Sequence, residues 1–339
     1  MTEGKVFNIL SIDGGGIKGL YAARVLEQIE QRYGKKIHEH FDLICGTSTG
    51  GLIALALSLG YSAGDVAEFY SKKGKLIFPH TSWYSRLFYL LKQGLVSNKY
   101  KSDTLRNQMV DFFGEDKKLK HCKTLLCIPA FNISKGIPIV FKYAHEEGNF
   151  YRDAEIDVID VALATSAAPT YFPNHTINAS TLPNTICTDG GVWCNNPALS
   201  GLLEAWDYFV GDGKMYDSVN LLSVSTIPEP TGSDFHGGGF VRWGKRMMTT
   251  ALEGQSYFTN HFLTKISKSR SFNLNYYRVV PENISKEQYK LIKMDLASKK
   301  AITLLNRLGT ESGVDLVSKK HNWLSEIFNK RKSFLTNKL

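Results

Sequence analysis

The stretch Phe41-Asp-Leu-Ile-Cys-Gly46-Thr-Ser48-Thr-Gly50-Gly51 decides the fold, because it reads as a buried strand turning through one serine into a helix. Leu43 to Cys45 is an apolar run of strand length, and Leu52 to Leu59 is an almost wholly apolar segment stopped at Gly60. Between them, Gly46-Thr47-Ser48-Thr49-Gly50 follows the G-x-S-x-G pattern of a nucleophile elbow. Such a turn strains the backbone of its central residue, and the flanking glycines let strand and helix pass without Cβ clashes. Glycines also flank serines by chance. The strand-to-helix context is what makes the Ser48 hydroxyl a candidate nucleophile.

Upstream, Val6 to Ile12 reads as a first buried strand that ends in Asp13-Gly14-Gly15-Gly16-Ile17-Lys18-Gly19. Ala22, Val25, Leu26, Ile29 and Tyr33 then keep helical spacing up to Gly34. The alternation of strand, glycine loop, helix, strand, serine turn and helix predicts an α/β fold with a parallel sheet covered by helices. A serine hydroxyl needs a base and a place for the charge that develops on the attacked carbonyl. The N–H groups of Gly14, Gly15 and Gly16, at a helix N-terminus, can supply that place together with the N–H of Thr49. One such donor is typically worth about 2.7–4 kcal/mol in the transition state. Gly14-x-Gly16-x-x-Gly19 also fits a dinucleotide fingerprint, which requires an acid at the end of the second strand. Here that strand ends in the serine turn, and Glu39 and Asp42 precede or begin it, so a nicotinamide or flavin enzyme is disfavoured.

Downstream, residues 61–121 read as helical, with an aromatic patch from Trp83 to Leu91 that is core, lid or lipid-facing surface. Lys123 to Phe131 and Pro138 to Tyr143 predict a hairpin through Ser134-Lys135-Gly136. Val158 to Ala168 predicts a buried helix stopped by Pro169, and Thr185 to Thr188 a strand ending in Asp189-Gly190-Gly191. Asn196 as N-cap and Pro197 as first helical residue start another helix. Val219 to Thr226 is a further strand, followed by a loop with Pro228, Pro230, Gly232 and Gly237-Gly238-Gly239. From Trp243 the chain reads as mostly helical. Trp323, Leu324, Ile327, Phe328, Phe334 and Leu335 share a helical face rimmed by Lys320, Lys330, Lys332 and Lys338. Docking on the core is the expected use of that face, an anionic membrane the alternative.

Among candidate bases, His175, His236 and His261 lack a local signature and read as structural or surface residues. Asp189 ends a strand and precedes two glycines, so its carboxylate can approach the serine; Asp-Gly is equally a common turn dipeptide. The 339 residues, 43% hydrophobic and 22% charged, suffice for one large α/β domain or two small ones. The five cysteines lack zinc-site spacing, and no metal or disulfide is expected. The N-terminus enters a strand without the regions of a secretory leader, and no apolar run reaches the roughly 18 residues of a spanning helix. A cytoplasmic chain with peripheral membrane contact is expected. The net charge of +9 favours an anionic partner, lipid or nucleotide.

Taken together, the segments resemble the patatin-like phospholipases. The resemblance rests on Asp13-Gly-Gly-Gly-Ile-Lys-Gly19, Gly46-Thr-Ser-Thr-Gly50 and Asp189-Gly-Gly191, in the family's order, with Ala164-Thr-Ser-Ala-Ala-Pro-Thr-Tyr-Phe-Pro173 ahead of the aspartate. It implies a three-layer α/β/α fold with a mostly parallel central sheet, a catalytic core over residues 1–230 and a helical extension over 231–339 on the same domain. It also implies a Ser48–Asp189 dyad, an oxyanion hole from Gly14, Gly15, Gly16 and Thr49, and support from Gly46, Gly50, Lys18 and Gly190. The implied activity is calcium-independent hydrolysis of lipid acyl esters, of phospholipid or galactolipid, through an acyl-serine, with no cofactor. Two departures stand out: Lys18 where many members carry arginine, and Ser225 where many continue into Gly-Thr-Gly.

In compact size and cytosolic character the chain is similar to bacterial patatin-like effectors of cyclic-oligonucleotide anti-phage signalling. That similarity implies a cyclic di- or trinucleotide activator and work at the inner membrane surface; a nucleic-acid polymer is not expected and a homodimer is left open. The basic balance, with Arg242, Lys245 and Arg246 after the glycine-rich loop, suits nucleotide control but also an ordinary basic surface. A constitutive acyl hydrolase and a catalytically silent lipid- or nucleotide-binding protein on the same fold are the alternatives.

Overall fold

A computed structural model describes residues 5–77, 102–230, 240–282, 284–330 and 332. The Trp83–Leu91 patch, Gly232, His236, Gly237 to Gly239, Phe334, Leu335 and Lys338 lie outside the described residues, as do the side chains of Arg242 and Lys245. The centre of the fold is an eight-stranded mixed sheet. Its parallel part runs β3 (Leu125–Asn132), β2 (Leu43–Gly46), β1 (Val6–Ile12), β7 (Ser218–Val224) and β8 (Leu274–Val279). β1 and β7 are buried along almost their whole length because helices cover the sheet, leaving no solvent face that would demand alternation.

Three antiparallel strands complete the sheet: β4 (Ile137–Lys142), β5 (His175–Ala179) and β6 (Leu182–Asp189). The predicted hairpin is β3–β4. β5, by contrast, is a strand that the sequence does not announce, and His175 lies on it; its short, polar HTINA sequence gives no alternating signal at the sheet edge. The pairing of β3 has a consequence for the site. A strand has two edges, and β4 pairs with β3 over residues 127–132, overlapping the partners of both β2 (125–127) and β6 (130–132). Hence β2 and β6 share the other edge, one beyond the other. β2 runs parallel to β3 and β6 antiparallel, so their C-terminal ends meet head on.

The helices are α1 (Gly19–Tyr33), α2 (Thr49–Leu59), α3 (Ala63–Ile77), α4 (Ser102–Phe113), α5 (Val158–Thr165), the single turn α6 (Gly191–Cys194) and α7 (Ala198–Tyr208). α8 (Phe240–Ile266), α9 (Lys286–Leu291), α10 (Lys299–Lys319) and α11 (His321–Asn329) follow. α7 runs from Ala198 onward as expected, with Pro197 rather than Asn196 at its N-cap position, and the Asn196 side chain accepts the Ala198 N–H at 3.1 Å. The stretch after residue 230 is mainly helical but also contributes β8, whose Leu-Asn-Tyr-Tyr-Arg-Val sequence carries too few apolar residues to announce a strand. α10 packs along α1, and α11 buries Leu324, Ile327 and Phe328 in the main core. Phe328 stacks on Tyr33 at 4.8 Å between ring centroids, so this face docks inward.

Candidate active site

The end of β2 turns into α2 through Ser48, whose φ of 54° and ψ of −122° make it a non-glycine residue in a strained conformation. The turn is tight enough that a Cβ on Gly46 would strike the Gly50 carbonyl, and one on Gly50 the Ile12 carbonyl. The Ser48 N–H donates to Thr165 Oγ1 at 3.0 Å, and Thr165 Oγ1 donates to the Pro129 carbonyl at 2.6 Å. The same α5 terminus holds the end of β6: Asp189 N–H donates to the Ala167 carbonyl at 3.0 Å and Gly190 N–H to the Thr165 carbonyl at 3.3 Å. One segment therefore positions both strand ends, and Thr165 sits inside the Ala164–Pro173 stretch on which the family resemblance partly rested.

Asp189 is buried, and its Oδ1 accepts the Gly191 N–H at 2.7 Å. Burial lifts its carboxyl from 3.8 to about 6; hydrogen bonds from the Ser48 side chain and the Gly191 backbone oppose the rise. The structure thus brings Ser48 and Asp189 together although 140 residues separate them. His175 is taken up elsewhere, 3.0 Å from Asp160, and His261 stacks on Tyr257 at the surface.

The glycine loop lies beside the serine, but its donors are not equivalent. Gly14 N–H is already committed to the Asn195 carbonyl at 3.0 Å, and the Gly14 carbonyl accepts from Thr226 Oγ1 at 2.7 Å. Gly14 therefore anchors the loop and does not offer the donor expected of it. The N–H groups of Gly15, Gly16 and Thr49 have no acceptor among the described residues. Gly16 has φ +58°, and a side chain there would run into the Met294 carbonyl, which accepts the Ile17 N–H at 3.0 Å.

Two ion pairs, each with its loop-side member buried, fix the loop from below. Asp13 is clasped by both terminal nitrogens of Arg278 on β8, one of which also donates to Ser223 Oγ at 2.7 Å. Desolvation raises the Asp13 carboxyl, while Arg278 holds it down. Lys18 is buried 3.7 Å from Glu229; desolvation lowers its amine, and Glu229 with Glu253 of α8 draws it back up. Lys18 thus ties the loop to Glu229, in the segment after β7, whose own N–H is held by Glu253 of α8, and it is not among the residues lining the grooves at Ser48. Arg278, Asn195, Thr165 and Met294 were not singled out from the sequence, since each reaches the loop or the elbow only through the tertiary fold.

Two apolar grooves meet at Ser48. One is walled by Leu52, Tyr70, Ile77, Leu105 and Phe172, the other by Pro169, Val192, Met248 and Leu252, while Ala168, Tyr171 and Met294 border both. Such walls suit hydrocarbon chains, and the polar lining comes from Ser48, Thr49, Ser166, Asp295 and the Tyr70 hydroxyl in the first groove, from Ser48, Asp189 and Asn195 in the second, and from the Tyr171 hydroxyl beside both. The arrangement can deprotonate a serine, receive an oxyanion on backbone N–H groups and hold an apolar acyl group.

Residues 10–202 match the family model described as patatin-like phospholipase. The chain is 32% identical to a cGAMP-activated phospholipase of Vibrio cholerae, covering 92% of this chain and 91% of that one. It is 33% identical to a protein of the same name from Escherichia coli, covering 89% and 87%. Patatin-like protein 2 of Arabidopsis thaliana is 28% identical over 91% of this chain and 83% of its own.

Proposed function

Since the chain belongs to the patatin-like phospholipase family and is a lipid acyl hydrolase, we propose that Ser48 is its nucleophile, Asp189 its general base, and membrane phospholipid its substrate. The observation that carries this is a strained serine bordering the same apolar groove as the buried carboxyl of Asp189, close enough for its side chain to act on that carboxyl, where two apolar grooves meet. Asp189 takes the Ser48 proton as Oγ attacks the ester carbonyl. The oxyanion is received by the N–H groups of Gly15, Gly16 and Thr49. The intermediate collapses, the lysolipid alkoxide leaves with the proton from Asp189, and an acyl-serine remains. A water deprotonated by Asp189 then attacks the acyl carbon, the second tetrahedral intermediate collapses with the proton passing from Asp189 to the departing Ser48 Oγ, and the fatty acid is released. Calcium has no part in this sequence. With its carboxyl near 6, Asp189 is ionised at neutral pH and still basic enough to accept a proton, so turnover falls as pH drops through about 6.

We also propose that a cyclic oligonucleotide switches the enzyme on; the names of the Vibrio cholerae and Escherichia coli relatives and the basic charge support this. Both proposals are tested by fatty-acid release from phospholipid vesicles, by wild type and Ser48→Ala, with and without cyclic GMP–AMP. Wild type should release fatty acid with the nucleotide, and Ser48→Ala should lose about a thousandfold or more. Undiminished release by Ser48→Ala would dismiss the dyad. Equal release without nucleotide would dismiss the switch.

A further inference from the structure

α8 divides its two faces in an unusual way. Its inner side carries Met248 and Leu252 into one of the grooves at Ser48, with Ser256, Thr259 and Leu263 buried behind them. Its outer side is also apolar: Trp243, Met247, Ala251, Gly254, Phe258 and Phe262 recur at steps of three or four residues and are exposed, Met247 by 52% and Phe258 by 62%. This stripe runs about 28 Å along the helix at 1.5 Å per residue, and Tyr257 flanks it. Single exposed apolar residues are ordinary, whereas an aligned row of them marks a contact surface.

The charge around the row says what it meets. From Phe240 to Phe272 the sequence holds six basic residues, Arg242, Lys245, Arg246, Lys265, Lys268 and Arg270, against one acid, Glu253. Glu253 is turned inward, where it interacts with Lys18 and accepts the Glu229 N–H at 2.8 Å. Two copies of this helix placed face to face would oppose like charges, whereas an anionic bilayer would neutralise them. Exposed Val192 and half-buried Leu252 and Met248 continue the apolar surface from the outer stripe into the groove.

We propose that the outer face of α8 docks on an anionic phospholipid bilayer, with Phe258 and Phe262 entering the acyl boundary. Resting as it does on membrane phospholipid being the substrate, this makes the groove lined by Met248 and Leu252 the path along which an acyl chain leaves the bilayer for Ser48. Flotation with vesicles of equimolar phosphatidylcholine and phosphatidylglycerol tests it, using the full-length Ser48→Ala protein with and without Phe258→Ser and Phe262→Ser, in the presence and absence of cyclic GMP–AMP. The parent should float, more weakly on phosphatidylcholine alone. Each serine should weaken binding by about tenfold. In the chain with Ser48 intact, the two substitutions should leave turnover of a soluble short-chain ester within about twofold, which shows the fold and site undisturbed. Unchanged flotation of the substituted protein would overturn the proposal. So would a parent that floats under no condition, or one that self-associates through Phe258 and Phe262 while its vesicle binding ignores them. Ester turnover that ignores Ser48 would instead remove the dyad, with the docking face still judged by flotation.

Discussion

Replacing Asp189 with asparagine should abolish turnover and stabilise the fold in the same stroke. Burial lifts the carboxyl from 3.8 to about 6, a difference of about 2.2. At 1.36 kcal/mol for each pH unit this is about 3 kcal/mol. The sign follows from proton binding: between those two values the folded chain holds a proton that the unfolded chain has released. Wild-type stability therefore falls as pH rises through this window, and the full penalty is present above about 6. An asparagine carries no charge to desolvate, and its oxygen can still accept the Gly191 N–H. The gain of Asp189→Asn should be near zero at pH 4 and about 1–3 kcal/mol at pH 8. Urea unfolding of both proteins at the two pH values measures it, beside fatty-acid release at pH 8. A variant no more stable than wild type at pH 8, or equally stabilised at pH 4, would refute the desolvated carboxylate. Retained turnover would remove Asp189 as the base.

Two further outcomes are expected from buried contacts outside the dyad. Arg278→Met leaves Asp13 buried without its partner and should cost about 3–5 kcal/mol in urea unfolding, most of it recovered in the double variant with Asp13→Asn; equal losses in both would mean that the ion pair does not hold the glycine loop. Phe328→Ala should cost about 3–5 kcal/mol and leave vesicle binding unchanged, because the ring is fully buried against Tyr33 and His40; weakened flotation at unaltered stability would assign α11 to the membrane.

Much of the candidate site was legible because its pieces are local. The Ser48 turn declares itself through glycines spaced for a strand-to-helix corner, and the glycine loop through three residues without side chains after a buried strand. Asp189 was visible only as the end of a strand, since Asp-Gly serves a turn as readily as a catalytic pair. Its approach to Ser48 depends on β2 and β6 sharing one edge of β3 and running toward each other, a property of strand pairing across more than a hundred residues. Gly14 shows the opposite case: a donor by sequence, spent by the fold on the Asn195 carbonyl.

The sequence by itself determined the alternation of strands and helices, the serine corner and the glycine loop, because backbone geometry and apolar period are read within a few neighbouring residues. Only the tertiary structure decided which loop N–H groups stay unpaired, that Arg278 on an unannounced strand clasps Asp13, that burial raises Asp189, and that α8 turns an apolar row outward. Each of these depends on desolvation or on partners distant in the chain, which local sequence does not encode.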